Sequence, residues 1–563
     1  MPITRKWRAC AAAIVALSPV ACGGQNTQGP SPRDAVVATP EESQVGAYLA
    51  GQHALYEHDF KTASRYYGKA LEVDPTNIPL LKRTYALLAA EGNLDEAIAI
   101  VERLKTLKED DPVAGILLAV KAARDEKYAE VERIMTAQPC QGFGKIVAPL
   151  MLAWSQAGQG KIDTALETIS ALKKSDSLMT LYHFHSGMIN DMAHRLNAAG
   201  THYGVVLAAE GAVSLRALEL IGAFYRRTGQ PNKAQALRDL YVNENPTTVL
   251  LTETGTPGIT PRTGVAETLF GIANSTREES TTDAALLFAR LSLAVQPDFA
   301  LAQILTGDLL HAQARFADAN AVYRAVGQKT AVYYLARLRM AGSLYKDGNA
   351  REAMVILEAI AQQWPEQAQA LVDMGDILRG KKRFAEAALA YGKALLRLPV
   401  LKKDHWQVFY SRGIAHERSQ QWPEAEKDFL KALEMESDQP MVLNYLGYSW
   451  LEKRMNLLQA KEMIERAVAQ RPEDGSIVDS LGWALYLTGD YPGAVRELER
   501  AVEMESNDPT VNDHLGDAYW RAGRYKEARF QWQRALSLNS EEPGLKENIL
   551  RKLERGFDPT PSE

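Results

Sequence analysis

SLGWALYLTGDYPGAVRELERAVEMES (480–506) and HLGDAYWRAGRYKEARFQWQRALSLNS (514–540) decide the fold. Each carries Leu-Gly, a glycine seven residues on, an aromatic residue two later, an alanine three later and a second alanine seven after that. The pattern repeats upstream. Its anchor glycines are Gly375, Gly413, Gly447, Gly482 and Gly516, and their partner alanines are Ala387, Ala425, Ala460, Ala494 and Ala528, spaced 38, 35, 34 and 34 residues. Small residues at two fixed places let two helices of one hairpin approach closely. Gly489 and Gly523 fall where the first helix needs a left-handed cap, and Tyr491 and Tyr525 follow in the turn. Such a hairpin is too small to bury its own apolar faces, so it must stack on its neighbours.

A 34-residue period with two helices per unit is the tetratricopeptide repeat. The template extends upstream in YLAGQHALYEHDFKTASRYYGKALEVDP (48–75), LIGAFYRRTGQPNKAQALRDLYVNENP (220–246) and TGDLLHAQARFADANAVYRA (306–325). Stretches 79–108, 146–174, 181–207, 265–297 and 333–365 fit with substitutions, and 113–139 is the least regular. The fold class is therefore all-α: a right-handed superhelical solenoid of about 13–14 TPR hairpins. Thr-, Gly- and Pro-rich TTVLLTETGTPGITPRTG (247–264) reads as a linker that no regular helix occupies. It divides an N-terminal array (44–246, partly degenerate) from a C-terminal one (265–540). The charged segment EEPGLKENILRKLERGF (541–557) reads as a capping helix, followed by a tail, 558–563.

The 563 residues are 46% hydrophobic and 24% charged, which excludes a disordered chain. A net charge of −6 with interspersed signs lacks the basic footprint of a nucleic-acid binder. Of the three cysteines, Cys10 and Cys22 precede the repeats and Cys140 stands alone, so the body holds neither a disulfide nor a cysteine zinc site.

The chain opens on a basic MPITRKWR and a short apolar run, ACAAAIVALSPVA, too short to span a bilayer as a helix. This reads as a signal peptide, 1–21. Ala21-Cys22-Gly23-Gly24 resembles a bacterial lipobox, with Pro19 where lipoboxes usually carry Leu. The resemblance implies lipidation of Cys22 and an outer-membrane lipoprotein facing the periplasm. Ordinary cleavage would instead leave a soluble periplasmic protein. Gly, Pro, Gln and Ser make 22–43 a disordered tether.

No catalytic motif is present. Gly142-Phe143-Gly144-Lys145 lacks the Ser or Thr of a phosphate-binding loop, and there is no G-x-S-x-G, H-E-x-x-H or C-x-x-C. His183, His185, His194 and His202 cluster in sequence, but on one helix His183 and His185 point about 200° apart and cannot share a metal. The chain reads as a non-enzyme with no cofactor, metal or small-molecule substrate.

In tetratricopeptide arrays the first helix of each hairpin forms the inner wall, and the family resemblance directs its second, fifth, ninth, twelfth and thirteenth positions to the groove. That points to Tyr410, Arg418, Tyr448, Trp483, Tyr486, Asp517, Trp520 and Arg521 as the protein-binding wall. Aromatics and Arg dominate interface energetics. The Lys, Asn and Arg of a chaperone-tail clamp are missing: the fifth and ninth positions hold Tyr48 and Gln52, Val372 and Asp376, or Asp479 and Trp483.

LNYLGYSWLEKRMNLLQAKEMIERAVAQRPEDGSIVDSLGWALYLTGDYPGAVRELERA, with one extra residue in the Lys453–Leu457 turn, resembles a group of proteobacterial tetratricopeptide proteins. That group includes a lipoprotein partner of a carboxy-terminal processing protease. The resemblance implies an envelope scaffold that recruits a protease and its substrates. The same fold serves assembly factors for pilus, secretion or polysaccharide-export machines. The remote third reading is an enzyme with a site of unrecognised kind.

Overall fold

The structure is a computed structural model, and it describes residues 43–57, 59–109, 111–137, 144–209, 214–244, 258–276, 282–398, 400–538 and 544–556. The expected signal peptide, Cys22, residues 22–42 of the expected tether, Cys140 and residues 247–257 of the expected linker lie outside the described residues.

Among the described residues there are 29 α-helices and no strand, and the helices pair as hairpins. In chain order these are α1 (Gln44–Tyr56) with α2 (Phe60–Val73), α3 (Ile78–Ala90) with α4 (Leu94–Thr106), α5 (Pro112–Arg124) with α6 (Tyr128–Ala137), and α7 (Gly144–Gly158) with α8 (Ile162–Ile169). Then come α9 (Met179–Met192) with α10 (Leu196–Ala208), α11 (Leu215–Arg227) with α12 (Pro231–Glu244), and α13 (Pro261–Ser275) with α14 (Thr282–Val295). Next are α15 (Ala300–Ala312) with α16 (Phe316–Ala325), α17 (Tyr333–Lys346) with α18 (Ala350–Gln363), α19 (Gln369–Gly380) with α20 (Phe384–Leu396), and α21 (Trp406–Arg418) with α22 (Trp422–Met435). Last are α23 (Pro440–Glu452) with α24 (Leu457–Gln470), α25 (Gly475–Leu487) with α26 (Tyr491–Met504), α27 (Pro509–Arg521) with α28 (Tyr525–Ser537), and the unpaired α29 (Leu545–Arg555).

Local chemistry sets the helix ends. Asp508 caps α27, its Oδ1 accepting from the Thr510 and Val511 amides, and Pro509 opens the helix where no amide is needed. Between the paired helices the chain turns through a left-handed residue: Gly489 at φ +88° and Gly523 at +79°. Elsewhere the same turn is made by His194, Ala314, Lys382 and Gln420, with φ of 58–61°. Each of these side chains costs about 1–2 kcal/mol that glycine avoids.

Packing inside each hairpin follows one rule. The ring or branched side chain sixteen residues after the anchor glycine lies against that glycine's missing side chain. The pairs are Gly51 with Tyr67, Gly187 with Tyr203, Gly307 with Tyr323, Gly375 with Tyr391, Gly413 with Phe429, Gly482 with Leu498 and Gly516 with Trp532. At Gly447 the partner is Ile464, displaced by the extra residue in the turn. Where the ring has a polar tip, the residue after the glycine is in three cases an aspartate that receives it. Tyr323 and Tyr391 donate their hydroxyls to Asp308 and Asp376 at 2.7 Å, and Trp532 donates Nε1–H to Asp517 at 2.9 Å. Beside the apolar Phe429 the same place holds Ile414.

The chain divides into two compact units, Met1–Ile360 and Ala361–Glu563. This boundary is a different one from the division expected at 247–264. The linker reading also ran too far, because Thr260 caps α13 and Pro261 occupies its first turn, so 261–264 is helix. Within the first unit α13 and α14 turn back onto the earlier hairpins: α13 packs on α7 and α5, and α14 on α5 and α3. The Trp154 indole fills the space beside Gly264 at the start of α13, and its Nε1–H donates to His185 Nδ1 at 3.0 Å. Burial holds His185 neutral, down to about 3, which leaves that nitrogen free to accept. Two buried ion pairs fasten the return: Arg216 to Glu267 at 2.6 Å, and Arg315 to Glu91 through two bonds of 2.6 and 2.8 Å.

A candidate protein-binding wall

The eight residues expected on one wall sit on α21, α23, α25 and α27, the first helices of successive hairpins in the second unit. They do not share one environment. Arg418 and Arg521 are exposed, while Tyr410, Tyr448, Trp483 and Trp520 are half-buried. Tyr486 and Asp517 are buried, at 8% and 3% exposure.

Stacking between neighbouring hairpins explains the half-burial. Tyr410 packs on Trp406 and Phe429 and meets Tyr445 of the next hairpin edge to face, centroids 5.9 Å apart. Burial raises its hydroxyl above the usual tyrosine range. The Tyr445 hydroxyl, pushed up to about 12 by burial and by the Glu417 carboxylate, donates to Glu417 at 3.4 Å. Further along, the Trp483 ring lies between Tyr486 (4.8 Å, planes 6° apart) and His514 (4.2 Å, 13°). Its Nε1–H donates to Glu452 at 3.2 Å. Trp520 packs on Tyr525 and Trp532, and Gly556, just past α29, sits against its indole.

Asp517 has a different task from the one expected. Besides the Trp532 indole it accepts from Lys552 of α29 at 2.8 Å, and the same ammonium reaches both oxygens of Asp513 at 2.8–2.9 Å. Burial, opposed by Lys552, pushes the Asp517 carboxyl up to about 6. Nothing local in the α27 sequence announces this, because the partner lies 35 residues away.

Residues unforeseen on this wall are Glu417, Tyr445, Glu452 and His514. Tyr445 and His514 both stand at the sixth position of a first helix, and both set a ring against the preceding hairpin, Tyr445 edge to face and His514 stacked. The recurrence of a ring there is the signal that finds them. His514 also contacts both carboxylate oxygens of Asp479 at 3.0 Å.

The clustered histidines separate as well. His183 Nδ1 lies 2.9 Å from His202 Nδ1 across α9 and α10, His185 faces Trp154, and His194 makes the turn. Burial lowers both His183 and His202 below the ordinary imidazole range.

The hairpins, the glycine–ring rule and the left-handed turns resemble those of a tetratricopeptide-repeat solenoid. Comparison with known sequences finds the same repeat. Residues 48–112, 338–399, 453–510 and 481–543 match the family model described as "Tetratricopeptide repeat". Over 164 residues the chain is 29% identical to a TPR repeat-containing protein of Pseudomonas aeruginosa, covering 29% of this chain and 27% of that relative. The chain thus spans about a quarter of the curated relative it matches. Among solved structures it is similar to the crystal structure of the APC/C hetero-tetramer Cut9-Hcn1 (TM-score 0.37, 14% identity, 92% of this chain and 96% of that one). It is also similar to yeast Tom70 (TM-score 0.32, 12% identity, 91% and 95%). Proteins built of this repeat generally mediate protein–protein interaction, and the fold is typically a non-catalytic scaffold.

Proposed function

We propose that this chain is a non-catalytic scaffold that binds protein segments along the first-helix wall of its second unit. One contrast carries the reading. In the first unit the row α3, α5 and α7 is occupied by the chain's own α13 and α14. In the second unit the corresponding row keeps Arg418 and Arg521 exposed and the Trp483 edge half-open. Half-buried indoles and guanidinium groups next to carboxylates such as Glu417 and Glu452 are suited to an extended segment of mixed polarity.

The basic and apolar N-terminus and Cys22 support a scaffold of the bacterial envelope held by a lipid, and the resemblance of the C-terminal repeats supports recruitment of an envelope protease and its substrates. Affinity capture from membranes with the native chain and with Trp483→Ala/Arg521→Glu tests the wall. Equal recovery of the same partners by both chains would reject it. Palmitate incorporation lost in Cys22→Ser supports the anchor, and incorporation retained there removes it.

A further inference from the structure

A cavity in the first unit is left unused by protein binding along the second. It measures about 330 Å³ and lies among α14, α15 and α16. Leu293, Pro297 and Val322 give it an apolar wall, and Arg290, Gln303 and Asp318 give it three polar points.

Each polar point lacks something. The Arg290 guanidinium lies beside the Gly92 turn, next to Glu91. Glu91, however, is held through both oxygens by Arg315. The buried Arg290 Nε–H meets no acceptor, and Arg290 forms no ion pair among the described residues. Burial works against its charge, and the carboxylates of Glu91 and Asp318 offset this only in part, without a hydrogen bond to it. Gln303 is 7% exposed; its Nε2 donates to the Pro297 carbonyl at 2.9 Å, and its buried Oε1 receives no donor. Asp318 takes both Arg315 bonds on Oδ2, leaving Oδ1 open.

The vacancies are complementary: an anion for Arg290, N–H donors for Gln303 and Asp318, and an apolar group between them. We propose that this cavity binds an apolar α-amino carboxylate, its carboxylate on Arg290, its nitrogen on Gln303 Oε1 and Asp318, and its side chain against Leu293, Pro297 and Val322. A carboxylate matches the guanidinium fork, and a charge-assisted pair there is stronger than a neutral one. The ligand is either a free amino acid or the last residue of a peptide.

Calorimetric titration of the full chain with leucine, N-acetylleucine and leucinamide tests the site. Binding of leucine with or without N-acetylleucine, weakened about tenfold or more in leucinamide, supports it. N-acetylleucine binding identifies a peptide terminus as the source, and binding of leucine alone identifies the free amino acid. Arg290→Met should abolish the response without lowering the melting temperature, because Arg290 holds no hydrogen-bonded anion and Glu91 keeps both its bonds to Arg315. Val322→Phe, which fills the apolar end, should abolish it with Arg290 intact. Equal affinity for leucinamide, unchanged binding in Arg290→Met, or no saturable response below ~10 mM overturns the proposal.

Discussion

The imidazole of His514 lies flat on the indole of Trp483, ring centroids 4.2 Å apart, while its Nδ1 touches the Asp479 carboxylate at 3.0 Å. Burial alone would make this imidazole neutral. Asp479, helped by Asp513 and Asp517, overrides burial and lifts it to about 9. A protonated imidazole over an indole also gains a cation–π attraction. Its folded value lies above the unfolded value of about 6.5, so its stabilisation is complete below that pH and is lost as pH rises through about 9. The raised Asp517 carboxyl acts in the same sense lower down, between 3.8 and about 6. Raising the pH from 6.5 to 9.5 should therefore remove on the order of 3 kcal/mol from the unit. Urea midpoints followed by indole emission measure it, and His514→Gln should flatten the dependence over that window.

Lys552 is the buried cation that seats α29, only 5% exposed between Asp513 and Asp517. Replacing it with Met takes the ammonium partner from two buried carboxylates. Breaking one side of a buried pair costs about 3–5 kcal/mol. Lys552→Met should release α29 to limited proteolysis and lower the urea midpoint. Adding Asp513→Asn and Asp517→Asn to it should recover part of the loss.

Gly375→Ala tests the glycine–ring rule. The new Cβ would stand 2.5 Å from the Tyr391 ring, which is fully buried and held by Asp376. Overpacking of this kind costs about 1–3 kcal/mol. Tyr391→Ala removes the obstacle, so the double variant should be more stable than the sum of the single changes, by at least ~0.5 kcal/mol. Thermal melts of the four chains give the coupling.

Legibility in the sequence followed range. The anchor glycines, partner alanines and left-handed Gly489 and Gly523 were readable because each acts within one 34-residue unit. Pro261 misled because composition marked a linker where Thr260 and Pro261 in fact open a helix. Tyr486 and Asp517 stand at wall positions of the repeat and are buried, which the repeat pattern does not announce, for a different reason. A groove position is exposed only if nothing later in the chain covers it, and α29 brings Lys552 onto Asp517. The return of α13 and α14 left no local trace, since its Arg315–Glu91 bond joins residues 224 apart.

That bond supplies the last prediction. Arg315 and Glu91 are 13% and 8% exposed in their side chains, and Arg315 also holds Asp318 at 2.6 Å. Glu91→Gln removes the carboxylate that faces both Arg315 and Arg290, leaving two buried guanidinium groups beside one exposed acid. The loss should reach about 3–5 kcal/mol, far above the ~1 kcal/mol of a surface pair. If the seat of α14 on α3 and α5 depends mainly on Glu91, through Arg290 of α14 and Arg315 at the start of α16, opening should be local. Hydrogen exchange would then quicken in α3, α5 and α14 and stay unchanged in α9 and α10. Uniform acceleration across the first unit would mean instead that the return is part of one cooperative core. Only local opening would leave the α3–α5–α7 row available to an outside segment, which should then appear as new peptide binding in Glu91→Gln alone.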